Sequence, residues 1–316
     1  MVLDRPLVHD AAVDSLLTTL EIEAIALTEC AVSPGWRLSF APIEVPGLHY
    51  ALRGQGQLVV GEKAPIPLAP HSLVVVPPQH PYRLEAPRAR AARQPLREKV
   101  VQLRPGMATG LPQRIVAGDD EPAVTLICGL FRARYGGLVE IFPAASAPLA
   151  ERFDDADELT AQLRSVVAEL AAPRRGTTAM TAALLKQVVV TLLRRRLRPD
   201  GPAPSEIALL GDPAVARAFA DMAARPGAAH SLSTLSDGAG LSRSAFVMRF
   251  SRAVGRAPMT ALRDLRMRRA ADLLAAGGLS VDEVARAVGY ASRSSFSRAF
   301  RAAQGSDPSA FRRSRR

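Results

Sequence analysis

One stretch of this 316-residue chain occurs twice, and no other feature of the sequence restricts the fold as strongly. Residues 242–258 read SRSAFVMRFSRAVGRAP and residues 292–308 read SRSSFSRAFRAAQGSDP, so eight of the seventeen aligned positions are identical at an offset of fifty. A solenoid of stacked repeats needs about three copies to bury its core. Two copies therefore predict a pair of similar structural elements and not a solenoid.

Each copy is predicted to be the second helix of a helix–turn–helix pair. A short helical segment precedes each copy, at residues 231–235 and 280–285, and a turn with Gly240 or Gly289 follows it. A short helix, a glycine turn and a second helix that opens with serine are typical of this motif. The two turn glycines are 49 residues apart, so the second turn is one residue longer.

The segment between the copies predicts one continuous helix. Residues 258–276 begin with Pro258 and end at Gly277, as helices prefer. Nineteen residues at 1.5 Å each span about 28 Å, which is close to the roughly 34 Å of one duplex turn. A rigid spacer of this length suits two reading helices in successive grooves. A further helix is predicted to start at Asp212 and Pro213.

Positive charge is concentrated in the last third of the chain. Residues 212–316 contain 18 Arg and no Lys against 7 Asp and 1 Glu, a formal charge of +10, whereas the whole chain carries +11. The first 211 residues are therefore close to neutral. This asymmetry predicts a C-terminal part that binds a polyanion.

The N-terminal half has the residue pattern that is typical of a β-rich domain. From Trp36 to Leu103, short runs rich in Val and Leu alternate with Pro and Gly. Many short strands separated by turns predict an antiparallel sandwich or barrel. Together with the C-terminal helices, this gives an α+β fold class.

The order of features in this half resembles a cupin, a small β-barrel whose interior holds a ligand or a metal. The resemblance rests on His49-Tyr50, RGQG at 53–56, the run 73–78 and Tyr82. Metal-binding cupins have a second His two residues after the first, and a later His where this chain has Tyr82. A stable metal site needs three or four ligands, so no metal or other cofactor is expected. The resemblance implies a ligand pocket lined by His49, Tyr82, His80 and Trp36.

The repeated helices resemble the recognition helices of the AraC/XylS family of bacterial transcription regulators. The residues that carry the resemblance are Val288-Gly289-Tyr290, FSRAF at 296–300, Gly305, Pro308 and FRR at 311–313. One branch of this family has a cupin-type sensor half upstream, and Cys128-Gly129 stands in the expected place. The resemblance implies a regulator that binds double-stranded DNA and senses a small-molecule effector or a redox signal. RNA polymerase is an expected partner if the protein activates transcription.

The expected organisation has four parts. Residues 1–150 form a cupin-like sensor β-barrel with flanking helices, residues 151–198 a helical dimerisation or packing segment, residues 199–211 a Pro/Gly-rich linker and residues 212–316 a DNA-binding domain with two helix-turn-helix motifs. The helix at 177–198 carries an apolar stripe that packs on the barrel or joins a second subunit. We favour the subunit contact and expect a homodimer.

Helical spacing separates core positions from DNA-facing positions in each repeated helix. Phe246 and Phe250, like their counterparts in the second copy, lie four residues apart and share one face, which we assign to the core. The opposite face is expected to read bases through Arg243, Ser244, Val247, Met248, Arg249, Arg293, Ser294, Ser297 and Arg298. The family usually has a basic residue where this chain has Met248, so the first helix is expected to read differently.

Three further arginines are expected to contact phosphates: Arg252, Arg301 and Arg312. For each of them a solvated surface position is the alternative.

Two cysteines, Cys30 and Cys128, do not make a disulfide framework for a chain of this size. They are either oxidant-sensing thiols or buried inert thiols. We favour the inert alternative, because no Cys-x-x-Cys pattern or adjacent His supports a lowered pKa. Acidic residues among the first thirty argue against a signal peptide, and no apolar run reaches membrane-spanning length. We therefore expect a cytoplasmic protein that joins the nucleoid when bound to DNA and has no membrane partner.

Two rival functions remain open. A cupin oxygenase or isomerase with a nucleic-acid tether needs a metal triad, and the altered histidine positions argue against it, so we expect no enzymatic activity and no catalytic residues. An architectural protein that uses arginine only for backbone contacts would bind DNA without sequence preference.

Overall fold

The computed structural model describes residues 7–87, 95–101, 113–143, 147–154, 158–172, 174–196 and 209–315. The chain packs as two compact units. The sheet unit comprises residues 22–133 and 142–207, and the helical unit comprises residues 1–21, 134–141 and 208–316. The predicted linker 199–211 lies outside the described residues apart from its last three positions.

Strands make up most of the sheet unit. Their bounds are β1 (Leu20–Val32), β2 (Trp36–Phe40), β3 (Gly47–Gly54), β4 (Gly56–Val60), β5 (Ile66–Leu68), β6 (Ser72–Val76), β7 (Tyr82–Glu85), β8 (Arg97–Val101), β9 (Gln113–Ala117), β10 (Val124–Tyr135), β11 (Val139–Glu140) and β12 (Leu149–Arg152).

The described strands form two sheets. One has the order β12-β6-β3-β10-β1-β9, with β11 paired to the end of β10, and the other has the order β5-β4-β7-β2-β8. Apolar side chains from both sheets, such as Cys30, Leu38, Leu58 and Leu126, form one buried core. Most pairings are antiparallel, as predicted, but β9 pairs with β1 and β8 with β2 in parallel.

The predicted cupin-like barrel is not closed in the described part of the chain. No strand pairing there joins the two sheets, which instead pack as a sandwich. The edges are formed by short strands, β5 with three residues and β12 with four. Short edge strands offer few ladder hydrogen bonds with which another strand could close the barrel.

Two helices complete the sheet unit, α2 (Glu158–Ala171) and α3 (Thr177–Arg196), and they pack against each other. In the apolar stripe of α3, Val188 and Leu192 are buried, Leu184 is half-buried and Met180 is 52% exposed. Most of the stripe is therefore used within the unit, and its N-terminal end remains accessible.

The helical unit is built from eight helices among the described residues. They are α1 (Leu7–Thr18), α4 (Pro213–Ala224), α5 (Leu232–Gly238), α6 (Arg243–Val254), α7 (Pro258–Ala276), α8 (Val281–Ala287), α9 (Arg293–Gln304) and α10 (Pro308–Ser314). The predicted helix at 258–276 is confirmed at both ends, and it stops at Gly277 in the left-handed conformation. The predicted start of α4, with Asp212 as its cap and Pro213 as its first residue, is also confirmed.

Two segments from the N-terminal half belong to the helical unit. Helix α1 packs against α4, and its Leu16 and Leu17 are buried. The hairpin at 134–141 brings Gly136 so close to α4 and α7 that a β-carbon there would lie 3.1 Å from Leu265. None of the described helices is long and apolar enough to cross a membrane.

Candidate nucleic-acid interface

The two repeated segments fold into helices of the same length with the same caps. Helices α6 and α9 have twelve residues each, and Ser242 or Ser292 accepts a hydrogen bond from the backbone N–H three residues on. Each helix ends at a glycine in the left-handed conformation, Gly255 or Gly305. These are the caps that stabilise helix ends, so the shared residues of the repeat set where each helix starts and stops.

The phenylalanines of both helices lie in the core. Phe246, Phe250, Phe296 and Phe300 are fully buried. Each pair is in ring contact, with centroids 5.5 Å apart in α6 and 5.6 Å apart in α9. This burial fixes the rotation of each helix about its axis, because residues four apart share a face.

The opposite face of each helix points to solvent. In α6, Arg243 and Ser244 are exposed, Met248 is 67% exposed and Val247 is half-buried. In α9, Arg293, Ser294 and Arg298 are exposed and Ser297 is half-buried. These eight residues of the predicted reading set therefore lie on accessible faces.

The first arginine of each exposed face is held by the short helix that precedes it. Arg243 donates to the hydroxyl of Ser233 in α5 at 3.0 Å, and Arg293 donates to the carboxylate of Asp282 in α8 at 3.1 Å. Ser233 and Asp282 were not identified from the sequence. Their separation of 49 residues matches that of the turn glycines, and this spacing is the signal that would have found them.

Arg249 is placed differently from the rest of the predicted set. Its guanidinium donates twice to Asp212, the cap of α4, at 2.7 and 2.8 Å. Burial raises the pKa of Asp212, but hydrogen bonds from Arg249 and from the N–H of Val215 outweigh it, so the pKa lies below its usual value. Arg249 therefore joins α6 to α4.

The three predicted phosphate contacts also differ in their partners. Arg252 is exposed, and Arg301 is exposed and lies 3.3 Å from Asp307. Arg312 is half-buried and donates to the carbonyl of Leu279 at 2.5 Å. Arg252 and Arg301 have the access that a phosphate contact requires, whereas Arg312 is engaged within the protein.

In the sheet unit, two of the four predicted pocket residues come together. His49 and Tyr82 lie with ring centroids 4.8 Å apart and line a cavity of about 20 Å³ with Phe40 and Cys128. Nδ1 of His80 donates to the carbonyl of Pro78 in its own loop at 2.9 Å, and His80 is not among the residues that line this cavity.

Trp36, the fourth predicted pocket residue, also lies outside the cavity lining. It is half-buried against the core, and the guanidinium of Arg97 stands 5.7 Å from its ring centre.

His49 is buried with no hydrogen-bond partner for either ring nitrogen among the described residues. Burial lowers the pKa of its imidazole to about 3, so the ring is neutral at physiological pH. The hydroxyl of Thr28, which also lines the cavity, has no partner in the described part either. A cavity of this size holds one water molecule.

The two cysteines meet inside the sheet unit. Cys128 lies beside His49 across the β3–β10 pairing, and Cys30 lies in the same buried core on the neighbouring strand β1. Burial, with a smaller effect of the nearby Cys30, raises the pKa of Cys128 well above its usual value. Within the described ranges, no group of three His, Cys, Asp or Glu residues is arranged to hold a metal ion.

Comparison with known proteins gives two family matches. A family described as a cupin matches residues 11–198, which is more than half of the chain, and a helix-turn-helix domain family matches residues 235–314. The two matches leave residues 199–234 between them, a stretch that contains the predicted linker 199–211 and also α4.

Individual relatives are similar over different lengths. The RCS-specific HTH-type transcriptional activator RclR of Escherichia coli (strain K12) is 26% identical over 221 residues, 68% of this chain and 78% of that protein. A putative AraC-like transcription regulator of Streptomyces lividans is 35% identical over 107 residues, 34% of this chain and 35% of that protein. Among solved structures, the DNA-binding domain of AdpA in complex with a target DNA is 33% identical and covers 32% of this chain and 90% of that chain, with a TM-score of 0.30.

Proposed function

Because the chain belongs to the AraC-type family of DNA-binding transcription regulators that carry an N-terminal cupin domain, we propose that α6 and α9 read two successive segments of one DNA duplex. The single observation that carries this proposal is the pair of equally capped twelve-residue helices that bury their phenylalanines and expose the opposite face. A helix presented in this way fits the major groove, where every base pair shows a distinct pattern of donors and acceptors.

The two helices are proposed to prefer different sequences. Helix α9 presents Arg298, which can donate two hydrogen bonds to guanine, whereas α6 presents the exposed Met248 at the corresponding position, which suits a thymine methyl. Arg243 and Arg293 are the further proposed base readers at the start of each helix. We leave Arg249 and Arg312 out of the contact set, because both are half-buried and their guanidinium groups are engaged by Asp212 and by the carbonyl of Leu279.

Selection of duplexes from a random pool by the full-length protein tests this proposal. We expect a site with two specified segments about one helical turn apart, and a binding constant that falls steeply as salt increases. Arg298→Ala is expected to weaken discrimination at one or two positions of one segment by about 1–3 kcal/mol.

Arg301→Ala is the matched control, because it removes an arginine one turn further along the same exposed helix. We expect it to weaken binding to all duplexes by the same factor. A footprint without any sequence preference would contradict the proposal and favour an architectural protein.

We further propose that the sheet unit responds to oxidation of the Cys30–Cys128 pair. The burial of both thiols in one core, on the neighbouring strands β1 and β10, supports a disulfide, and one relative is named an RCS-specific transcriptional activator. A two-electron oxidant such as hydrogen peroxide removes one hydrogen from each thiol, forms the sulfur–sulfur bond and is itself reduced to two water molecules. A small-molecule effector is the alternative, and the cavity at His49 is too small to admit one without rearrangement.

Peroxide treatment of the full-length protein separates these signals. We expect a mass loss of two hydrogens and a changed affinity for the selected duplex, both reversed by dithiothreitol and both absent in Cys128→Ala. Because burial raises the pKa of Cys128 and the thiolate is the reactive form, oxidation is expected to speed up as the pH rises. Unchanged DNA affinity after complete disulfide formation would rule out the redox signal.

A homodimer remains our proposal for the assembly, with RNA polymerase as a partner if the protein activates transcription. The accessible end of the α3 stripe, Met180 and Leu184, supports a subunit contact. Light scattering is expected to give twice the mass of the chain, and Met180→Lys is expected to shift the population to the monomer. A dimer unaffected by this substitution would place the contact elsewhere.

The names of the relatives support regulation rather than catalysis. A stoichiometric metal in the purified protein would revive the alternative of a cupin enzyme.

A further inference from the structure

Arg266, in the middle of α7, connects the loop before the first helix pair to the turn of the second. Its Nε donates to the carbonyl of Pro226 at 2.8 Å, and its Nη2 donates to the carbonyl of Ala228 at 3.0 Å. Both carbonyls belong to the α4–α5 loop. The same guanidinium stands 5.9 Å from the ring centre of Tyr290, in the α8–α9 turn.

Tyr290 is firmly attached to the second helix pair. Its N–H donates to the carbonyl of Ala285 at 2.9 Å, and its ring meets Phe296 edge-on at 5.8 Å. It also packs against the core formed by α7, α8 and α9. Arg266 therefore reaches a part of the second pair that moves with α9.

The backbones of the loop and the turn are also in direct contact beneath Arg266. A β-carbon at Gly227 would lie 2.1 Å from the carbonyl oxygen of Ala287, and one at Gly289 would lie 2.8 Å from the carbonyl oxygen of Gly227. Distances below about 3 Å leave no room for a side chain, so both positions depend on glycine. The loop at 226–228, the turn at 287–290 and Arg266 together form what we call the junction.

The first helix pair provides an internal comparison. Gly240, the counterpart of Gly289 in the first turn, has a similar positive φ of 65° against 80°, but nothing lies within 4 Å of a β-carbon placed there. The close packing at Gly289 is therefore a property of the junction and not of the helix–turn–helix pair itself.

The contacts within the junction explain why an arginine stands at position 266, and no phosphate contact is needed to explain it. Two of its nitrogens donate to carbonyl oxygens, and the side chain is half-buried. Arg269, three residues further along α7, is exposed. The two residues carry the same charge, so they separate a positioning effect from an electrostatic one.

We propose that Arg266 is a positioning residue that determines which spacing between the two DNA segments the protein accepts. This inference rests on the proposed function, because it requires both α6 and α9 to read DNA. Helix α7 alone links the two pairs at one point, and the junction adds a second point of attachment. Two attachments prevent rotation of one pair about the other, so a duplex fits only when its two segments are related by one fixed rotation and separation.

Binding to duplexes of altered spacing tests the inference. Inserting one base pair between the two selected segments rotates one segment by about 35° relative to the other. We expect the full-length protein to lose at least about tenfold in affinity on this insertion, whereas Arg266→Ala loses no more than about threefold. Arg269→Ala is expected to weaken binding by the same factor at every spacing. The ratio of the affinities for the original and the altered spacing is then the same as in the original protein.

A second pair of variants covers the case in which Arg266→Ala does not fold. Gly289→Ala and Gly240→Ala introduce the same backbone strain, but only the first disturbs the junction. We expect Gly289→Ala to relax the spacing preference and Gly240→Ala to retain it. Equal spacing ratios in Arg266→Ala and Arg269→Ala, or in the two glycine variants, would overturn the inference.

A measurement without DNA separates failure of this inference from failure of the proposed function. Spin labels at Asp237→Cys and Ala302→Cys, in a chain with both native cysteines changed to Ala, report the distance between the two helix pairs. We expect a narrow distance distribution that broadens in Arg266→Ala. An unchanged distribution would overturn the inference, whereas a selected site with only one specified segment would instead overturn the proposed function.

Discussion

The arginines of the helical unit differ in what holds them. Arg249 gives two hydrogen bonds to Asp212, and Arg266 gives two to backbone carbonyls, so both act inside the protein. Arg293 is exposed, and its one side-chain hydrogen bond among the described residues is the bond from Nη1 to Asp282. Immobilising a flexible side chain on binding costs about 0.5–1.5 kcal/mol. A contact that already restricts the rotamers of Arg293 in the free protein lowers this cost.

Asp282→Ala is expected to reduce the base preference that we propose for Arg293. Loss of the anchor leaves the arginine present but less ordered, so we expect discrimination at its base position to fall by about three- to tenfold. Competition binding with duplexes changed at single positions measures this. Ser233→Ala is the counterpart in the first pair and should affect only the other segment. An unaltered preference in Asp282→Ala would show that the ion pair does not orient Arg293.

At the scale of elements, the N-terminus of α4 combines a cap with an ion pair. The carboxylate of Asp212 accepts from the N–H of Val215 at 3.2 Å and from the guanidinium of Arg249 in α6. The first interaction stabilises α4 itself, and the second fixes α6 against α4. The two contributions are separable, because asparagine retains a capping oxygen and lacks the charge.

Asp212→Ala is expected to lower the free energy of unfolding by about 1–2 kcal/mol, and Asp212→Asn by less than about 1 kcal/mol. The folded-state pKa of Asp212 lies below the ordinary value of 3.8, so its ion pair stabilises the protein above that pH and is lost as the pH falls through the folded value. Urea unfolding at pH 7 and at pH 3 therefore should show a smaller difference between the original protein and Asp212→Asn at the lower pH. A difference that grows on acidification would contradict this assignment.

Helix ends and core positions near the repeat could be predicted from the sequence, because their determinants are local. Prolines at the first position, serine caps and phenylalanines four apart act within one or two helical turns. The partner of Arg249 lies 37 residues away, and the carbonyls that bind Arg266 lie about 40 residues away. Local periodicity contains no information about such pairs, so Arg249 was predicted to face DNA and the junction was not foreseen.

For a related reason, the sequence left open whether the strands form a sandwich or a barrel. Short apolar runs separated by turn residues indicate strands, but they do not indicate which strands pair at the edges of the sheets. The parallel pairing of β8 and β9 with β2 and β1 depends on contacts distant in sequence. His49 and Tyr82 were predicted together because the resemblance to cupins implies that both line the interior, whereas the same resemblance does not show that the side chains of His80 and Trp36 lie outside the cavity.

At the scale of the whole molecule, the helical unit is assembled from three separate stretches of chain. Helix α1 contributes Leu16, Leu17 and its neighbour Leu20 to the buried set, and α1 packs on α4, the helix that carries the cap described above. The helical unit therefore consists of residues 208–316 together with α1 and the hairpin at 134–141.

Leu16→Ala is expected to destabilise the helical unit by about 2–5 kcal/mol, because Leu16 is fully buried. Thermal melts followed by DNA affinity at a low temperature would separate lost stability from lost contacts. Ser15→Ala is the matched control, since Ser15 is exposed on the same helix, and it should change the melting temperature little. Equal melting temperatures for the two variants would show that α1 contributes nothing to the unit.

The discontinuity of the helical unit also has a consequence for biosynthesis. Helix α1 leaves the ribosome before α4, whose residues follow only after almost two hundred intervening positions. At about 5–20 residues per second, α1 waits roughly 10–40 s before its packing partner exists. During that interval Leu16 and Leu17 lack their partner α4, so the nascent chain presents an apolar helix that chaperones can bind until the rest of the helical unit has been synthesised.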